Sequence, residues 1–424
     1  MKIVNGIPIE QKEAILNSLR GFYSNSFFHI YIDGEFNPKI EEIVTIKDQG
    51  TVQHEYTHYI QNIGTLWGLY SSMVMYEQIL ELKEYIKRHD KLSRPIDMLF
   101  SDGLKRKLNF IEFGNGTSYY DKCIVDTNKP IFIRNKIEKV NDKEQKAIYI
   151  DFMLHDGTVR NVLLGAFVIK ESMAAMYQSL LDSDASHYDI PYNVVQLLAN
   201  SKYPNTAKDV RKLICCCHAS LFSMNPGFQL IQLLDEAEHE PRINGFRLFE
   251  SFVKNNTVRT GIGNHYKIVE YFNKMVDGFL AMLDINISAP IDYIRSALER
   301  VKLDGKYYPF LSVLYETSYS SKDLSEIISY YGIPYIQTPL GLYYPKGKIP
   351  EYKDGSLDVL ELIVQEAICK MLLDSKHRYC CPLFYMCSNS KFQKDECFGT
   401  PWTGNLCSFK IISDSWNLNK KEIN

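Results

Sequence analysis

The sequence predicts an α+β fold that is mainly helical, with one small antiparallel sheet and a helical C-terminal half. Three observations lead there. Apolar residues recur at the three- and four-residue spacing of a helix over much of the chain, above all between 206 and 375. Short apolar runs bounded by turn residues gather between 121 and 163. The composition is that of a globular protein, 45% hydrophobic and 23% charged over 424 residues. That is enough chain for two or three domains' worth of sequence and a substantial core.

Taken in order, the first 90 residues read as a short helix, a strand or two, a helix near 51–63 and a long helix after it. The run Phe27-Phe28-His29-Ile30-Tyr31-Ile32 has strand character and stops at the turn Asp33-Gly34. In the helix that follows, Val52, Tyr56, Tyr59 and Ile63 form one apolar stripe. Asp48 or Thr51 can cap its start, and Gly64 is a natural stop. Its opposite side carries almost no solvated charge, so it is expected to face a cleft.

Residues 91–120 show no dominant period. Strands are expected at 131–133, 147–152 and 159–164, with Asn141-Asp142 and Asp156-Gly157 between them. Asp-Gly between apolar runs is a strong hairpin signal. Ile169, Met173, Met176 and Leu180 then mark a helix in which Ala174 and Ala175 allow close approach to a neighbour. Further helices are expected near 206–223, 228–239, 266–284, 288–301, 322–331 and 356–374. Asn225-Pro226-Gly227 and Pro290 punctuate them, and Gly261-Ile262-Gly263 reads as a turn, since no strand precedes it to make a nucleotide loop.

Within the first long helix, residues 54–58 read His54-Glu55-Tyr56-Thr57-His58, an H-E-x-x-H pattern. Positions i and i+4 lie one turn apart on the same face, so two imidazoles can share one Zn²⁺. The intervening Glu can reach a water at the open coordination position. Chance would give about 0.015 such matches in a chain of this composition, so the pattern is informative though short. The bland alternative is a helix that happens to carry two histidines.

At these residues the chain resembles the zincin metallopeptidases. The resemblance covers a helix of about fifteen residues and one possible second motif. Tyr59-Ile60-Gln61-Asn62-Ile63-Gly64 supplies no third His, so the metzincin extension is absent. The gluzincin type is left, in which the third ligand is a Glu on a later helix. Glu171 is the preferred candidate, because its Glu-x-x-x-Ala spacing to Ala175 is similar to the second gluzincin motif. The long separation from His58 requires an inserted subdomain, which the 121–163 strands would form.

Glu77 is the rival, at a spacing similar to that of the gluzincin aminopeptidases but without their Asn-Glu context. A single helix over 51–89 would put it about 28 Å from His58 along the axis. The chain must therefore fold back at Gly64-Thr65-Leu66-Trp67-Gly68 for Glu77 to serve. The cluster Asp235-Glu236-Ala237-Glu238-His239-Glu240 is a remoter candidate, since such charge runs are usually solvated helix ends.

The resemblance implies a zinc-dependent peptidase with His54, His58 and Glu171 as ligands and Glu55 as general base but not ligand. The substrate would be a protein or peptide. An oxyanion stabiliser from the helical half is also expected, with His218 as a guess. The organisation expected is a catalytic domain over 1–205 with its β insertion, a helical domain over 206–375 completing the cleft, and a Cys-rich tail over 376–424. The alternative is a catalytically inactive protein of zincin-like type that binds metal or a regulatory partner.

The net charge is −3 and no basic arm appears, so nucleic-acid binding has no electrostatic support. No apolar run is long enough for a transmembrane helix, and Met1-Lys2-Ile3-Val4-Asn5-Gly6 lacks the apolar core of a signal peptide. The default location is the cytoplasm, with no membrane partner. Cys215-Cys216-Cys217 fit buried free thiols. Cys380, Cys381, Cys387, Cys397 and Cys407, with His377, could hold a structural zinc, but no C-x-x-C pair is present.

Overall fold

The chain enters its core through two antiparallel strands, β1 (Gly21–Ser24) and β2 (His29–Ile32). A computed structural model describes residues 3–4, 7–8, 21–24, 29–34, 36–37, 40, 45–97, 100–117, 122–259, 263–303, 308–316, 318–338, 341–343, 357–373 and 407–423. β2 buries Ile30 and Ile32 in alternation, the period-two pattern of a half-buried strand.

Helix α1 (Ile46–Ile63) follows. It begins at Ile46, ahead of both Asp48 and Thr51, because Thr45 is the residue that caps it. The Thr45 side chain accepts from the Asp48 N–H at 3.1 Å, so Asp48 sits in the first turn, where its charge complements the helix dipole. Gly64 ends the helix as expected, its N–H donating to the Ile60 carbonyl at 2.7 Å. Thr65 then caps α2 (Leu66–Arg88), accepting from the Gly68 N–H at 3.1 Å. This tight turn folds α2 back onto α1.

Helix α3 (Asp102–Asn115) occupies part of the stretch that showed no period, with Ser101 as its cap. Three antiparallel strands come next in the order β3 (Phe132–Val140), β4 (Lys143–Met153), β5 (Val159–Leu163). Val140 pairs with Lys143, so Asn141-Asp142 is a two-residue turn, with φ of 50° and 65°. Asn and Asp tolerate that left-handed conformation, and it matches the twist of a hairpin. β3 is longer than the expected 131–133 because most of it is exposed and carries no apolar pattern. β5 leads directly into α4 (Ala166–Leu181).

The rest is mainly helical: α5 (Val194–Lys202), α6 (Val210–Ser220), α7 (Pro226–His239), α8 (Gly245–Asn255), α9 (Ile268–Asn286) and α10 (Asp292–Val301). After them come α11 (Pro309–Glu316), α12 (Ser321–Tyr331), β6 (Tyr335–Thr338), β7 (Gly341–Tyr343), α13 (Leu357–Leu373) and α14 (Ser408–Ser415). α5, α8 and α11 lie outside the stretches assigned from spacing. α5 and α11 are too short for a period to emerge, whereas α8 does bury Leu248, Phe249, Phe252 and Val253 at helical spacing. β6 lies parallel beside β2, with Ile336 opposite Ile30, giving a mixed sheet in the order β7-β6-β2-β1. Among the described residues no helix is long and apolar enough to cross a membrane.

α1 is the centre of this arrangement. Every residue from Gln49 to Ile63 is buried. It packs against β1 and β2, against α4 and against α12. The wholly buried polar residues on it find partners: Thr57 Oγ1 donates to the Gln53 carbonyl at 2.8 Å, and the Tyr319 hydroxyl donates to Gln53 Oε1. Gly50 sets the close approach to α4, since a Cβ there would lie 2.9 Å from the Asp182 Cβ.

Gly227, in the first turn of α7, has the same function at the other end of α4. A Cβ on it would stand 1.9 Å from the Leu164 carbonyl oxygen. Neither atom belongs to a flexible side chain, so the backbone must shift. Gly227→Ala is expected to destabilise the fold by about 2–3 kcal/mol, read as a lowered denaturant midpoint. An unchanged midpoint would mean that the α7–α4 junction yields freely.

Candidate metal centre

Two helices bring the centre together. α1 presents His54 and His58 one turn apart, and their rings meet edge to face with centroids 5.0 Å apart. α4 lies alongside and presents Glu171. Its Oε2 is 3.5 Å from His54 Nε2 and 3.5 Å from His58 Nε2. One ligand atom from each residue lies within 4.8 Å of the others, and among the described residues this is the only such group of three or more His, Cys, Asp or Glu. A tetrahedral ion with bonds of about 2.0–2.1 Å holds its donor atoms about 3.3–3.4 Å apart. Two imidazole nitrogens and a carboxylate at these separations can hold a metal ion.

The side chain of Gln61 determines which nitrogen of His58 is offered. Gln61 is fully buried on α1. Its Nε2 donates to the Lys170 carbonyl at 3.0 Å, which leaves Oε1 as an acceptor 2.8 Å from His58 Nδ1. Nδ1 must therefore carry the proton, and Nε2 keeps its lone pair toward Glu171. The same contact ties α1 to the residue next to Glu171. Asn62 adds a second tie, accepting from Lys170 Nζ at 2.6 Å. Burial draws the Lys170 amine down to about 8, against the pull of the Glu171 carboxylate. Gln61→Leu is expected to weaken metal binding by about 10–100-fold, measured by competition with a chromophoric chelator. Wild-type affinity in that variant would show that Gln61 does not orient His58.

Charge within the site is strongly coupled. Burial alone would raise the Glu171 carboxyl, but the His58 and His54 imidazoles outweigh it and hold the group far below the usual carboxylate range. For His58 burial acts to lower, and Glu171 beside it outweighs burial, so its pKa is raised. Glu55 is 6% exposed, and burial raises its carboxyl against the opposing pull of His54 and His58. Glu55 is not among the three residues whose ligand atoms converge. It is a buried carboxyl beside the group.

Two further residues border the site, and neither carries a sequence signal. His187 stacks on His54 at 5.6 Å and is held by Gln178, with Nε2 2.9 Å from Oε1. Tyr192 lies 6.0 Å from the His54 ring and 4.9 Å from that of His187. It belongs to an irregular turn, Asp189–Asn193, fastened to α4 where Ser172 Oγ donates to the Pro191 carbonyl at 3.2 Å. Burial, then the nearby carboxylates of Glu171 and Glu55, raise the Tyr192 hydroxyl, so it stays a protonated donor at neutral pH. His54 Nδ1 is buried without a hydrogen-bond partner among the described residues.

The other sequence candidates are placed elsewhere. Glu77 lies on α2 and pairs with Lys107 of α3 at 2.6 Å. His218 is fully buried among Phe222, Phe249, Tyr308 and Phe310, with Nε2 3.0 Å from the Tyr308 hydroxyl. It belongs to the core, not to the edge of a cleft, and burial pushes its imidazole down to about 3. Glu238, from the acidic run, accepts from the backbone N–H groups of Asn205 and Thr206. Cys215, Cys216 and Cys217 are buried free thiols in α6. Of the tail cysteines only Cys407 is described, capping α14; Cys380, Cys381, Cys387, Cys397 and His377 lie outside the described residues.

Comparison of the chain with protein-family models, with curated proteins and with solved structures finds no match.

Proposed function

We propose that the protein is a zinc-dependent metallopeptidase acting on a protein or peptide substrate. The observation that carries this reading is the convergence of His54, His58 and Glu171, with Glu55 buried beside them but outside the ligand group. The donor set of two imidazole nitrogens and one carboxylate suits zinc and leaves a fourth position open. Bound there, zinc would supply Lewis acidity, lowering the pKa of water toward about 7 and polarising the scissile carbonyl.

The residues divide the remaining work. Gln61 and Lys170 hold the two ligand helices in register. Glu55 takes a proton from the attacking water and returns it to the leaving amine, and the upward push of burial brings its carboxyl closer to the pH at which it must do both. Tyr192, kept protonated and with its ring 6.0 Å from that of His54, would be the donor to negative charge on the substrate oxygen. The two ligand histidines are only 7% and 9% exposed. A substrate must therefore thread a narrow approach, and water is largely excluded once it is in place.

The same low exposure favours a second reading, a zincin-like protein that holds metal without turning substrate over. Incubation with a broad peptide library separates the two. Cleavage that stops with a zinc chelator and returns on zinc addition supports the peptidase. No cleavage by zinc-loaded protein supports the second reading.

A further inference from the structure

A cavity of about 1190 Å³ lies between α3, the β3–β4 turn, the start of α7 and the end of α8. None of His54, Glu55, His58 or Glu171 lines it. Among the described residues its lining includes Arg106, Lys107, Lys143 and Arg259 and not one Asp or Glu. The chain as a whole has 48 basic and 51 acidic residues, so this local excess departs from the average surface. Lys107 is neutralised by Glu77. Arg106, Lys143 and Arg259 have no carboxylate partner among the described residues. Grouped cations around a hollow focus a positive potential into it.

The walls are aromatic. Tyr70 and Phe110 meet edge to face at 6.1 Å, and Tyr271 and the buried Phe222 line the same space. The hydroxyls of Tyr70 and Tyr271 and the amide of Gln229 have no hydrogen bond among the described residues, so they are free to serve a ligand. We propose that this cavity binds a nucleoside diphosphate, with its base against Tyr70, Phe110 and Tyr271 and its phosphates on Arg106, Lys143 and Arg259. Three unpaired cations match the roughly three negative charges such a ligand carries at neutral pH. Guanidinium groups suit phosphate oxygens, and aromatic faces accept a planar base. The volume is that of a small-molecule site, somewhat above the usual range of about 300–1,000 Å³. A polynucleotide would call for a longer basic stripe than the sequence contains.

The test is calorimetric titration of the full chain with ADP and, separately, with inorganic pyrophosphate. A triple variant, Arg106→Ala, Lys143→Ala, Arg259→Ala, and the single variant Lys143→Ala are titrated alongside. All three side chains are exposed, so thermal midpoints should hold. The expected result is ADP binding that the triple variant weakens at least tenfold and the single variant about threefold. Pyrophosphate should bind at least tenfold more weakly than ADP. Absence of ADP binding at millimolar concentration, or equal binding by the variants, would overturn the proposal. Pyrophosphate binding as tightly as ADP would overturn its nucleoside part.

Discussion

Zinc per chain is expected to fall by about one equivalent when His58 is replaced by alanine. Glu171→Ala is expected to give the same loss, and Glu77→Ala none. The reasoning is geometric. His54 and His58 alone offer two donors from one helix, and Glu171 completes the set from another. Loss of either His58 or Glu171 leaves two donors, too few for a structural or catalytic zinc site. Glu77 is paired with Lys107, so its removal breaks a partly exposed ion pair worth little. The difference between wild type and variant is the readout, because the tail cysteines could hold a zinc of their own. The metal should also stabilise the fold, by about 4 kcal/mol at a thousandfold excess over its Kd, so chelation should lower the unfolding midpoint. Glu171 raises the pKa of His58, so proton and metal compete for Nε2, and affinity should decline as pH falls. Equal zinc in wild type, His58→Ala and Glu171→Ala would remove the basis of the metal centre.

What the sequence could reveal here depended on range. The i, i+4 histidines and the turn at Gly64 are local, and α1 carries them as read. Glu171 was legible because its own helix had a clear period and two small residues, Ala174 and Ala175, both buried. The inserted sheet was legible from Asp156-Gly157 and its flanking strands, though β3, exposed on most positions, was longer than any apolar run could show. The start of α1 was misplaced because Thr45 caps through a single hydrogen bond and the first turn lies ahead of the buried apolar stripe that begins at Val52, with Ile46 itself exposed. Tyr192 and His187 were out of reach. Tyr192 approaches His54 on an irregular turn that Ser172 fastens to α4, and His187 is held there by Gln178, contacts that leave no spacing in the chain. His218 shows the reverse error: a histidine near the right place in sequence proves to be core, walled by aromatic rings. β6 beside β2 joins positions some three hundred residues apart, and only tertiary packing brings them together.

Glu55→Gln is expected to keep its zinc and lose hydrolysis by about 10²–10⁴-fold. The substitution preserves shape, so the burial of α1 and the spacing of His54, His58 and Glu171 should persist. It removes the carboxylate that this reading uses to accept a proton beside the ligands. It also removes a buried carboxyl whose charged form burial disfavours. The variant should therefore unfold at the same midpoint as wild type or slightly above it, because a neutral amide costs less to bury than a carboxylate. Full zinc, an undiminished midpoint and lost turnover together would assign proton transfer to Glu55, since a structural role predicts a fall in midpoint as well. Loss of zinc in Glu55→Gln would instead make Glu55 a ligand and overturn the division of roles. Unchanged turnover would point to another base, and Tyr192, held protonated, is not a candidate for it. Equal absence of turnover in both proteins, with zinc bound in each, would leave a metal site that serves binding and not hydrolysis.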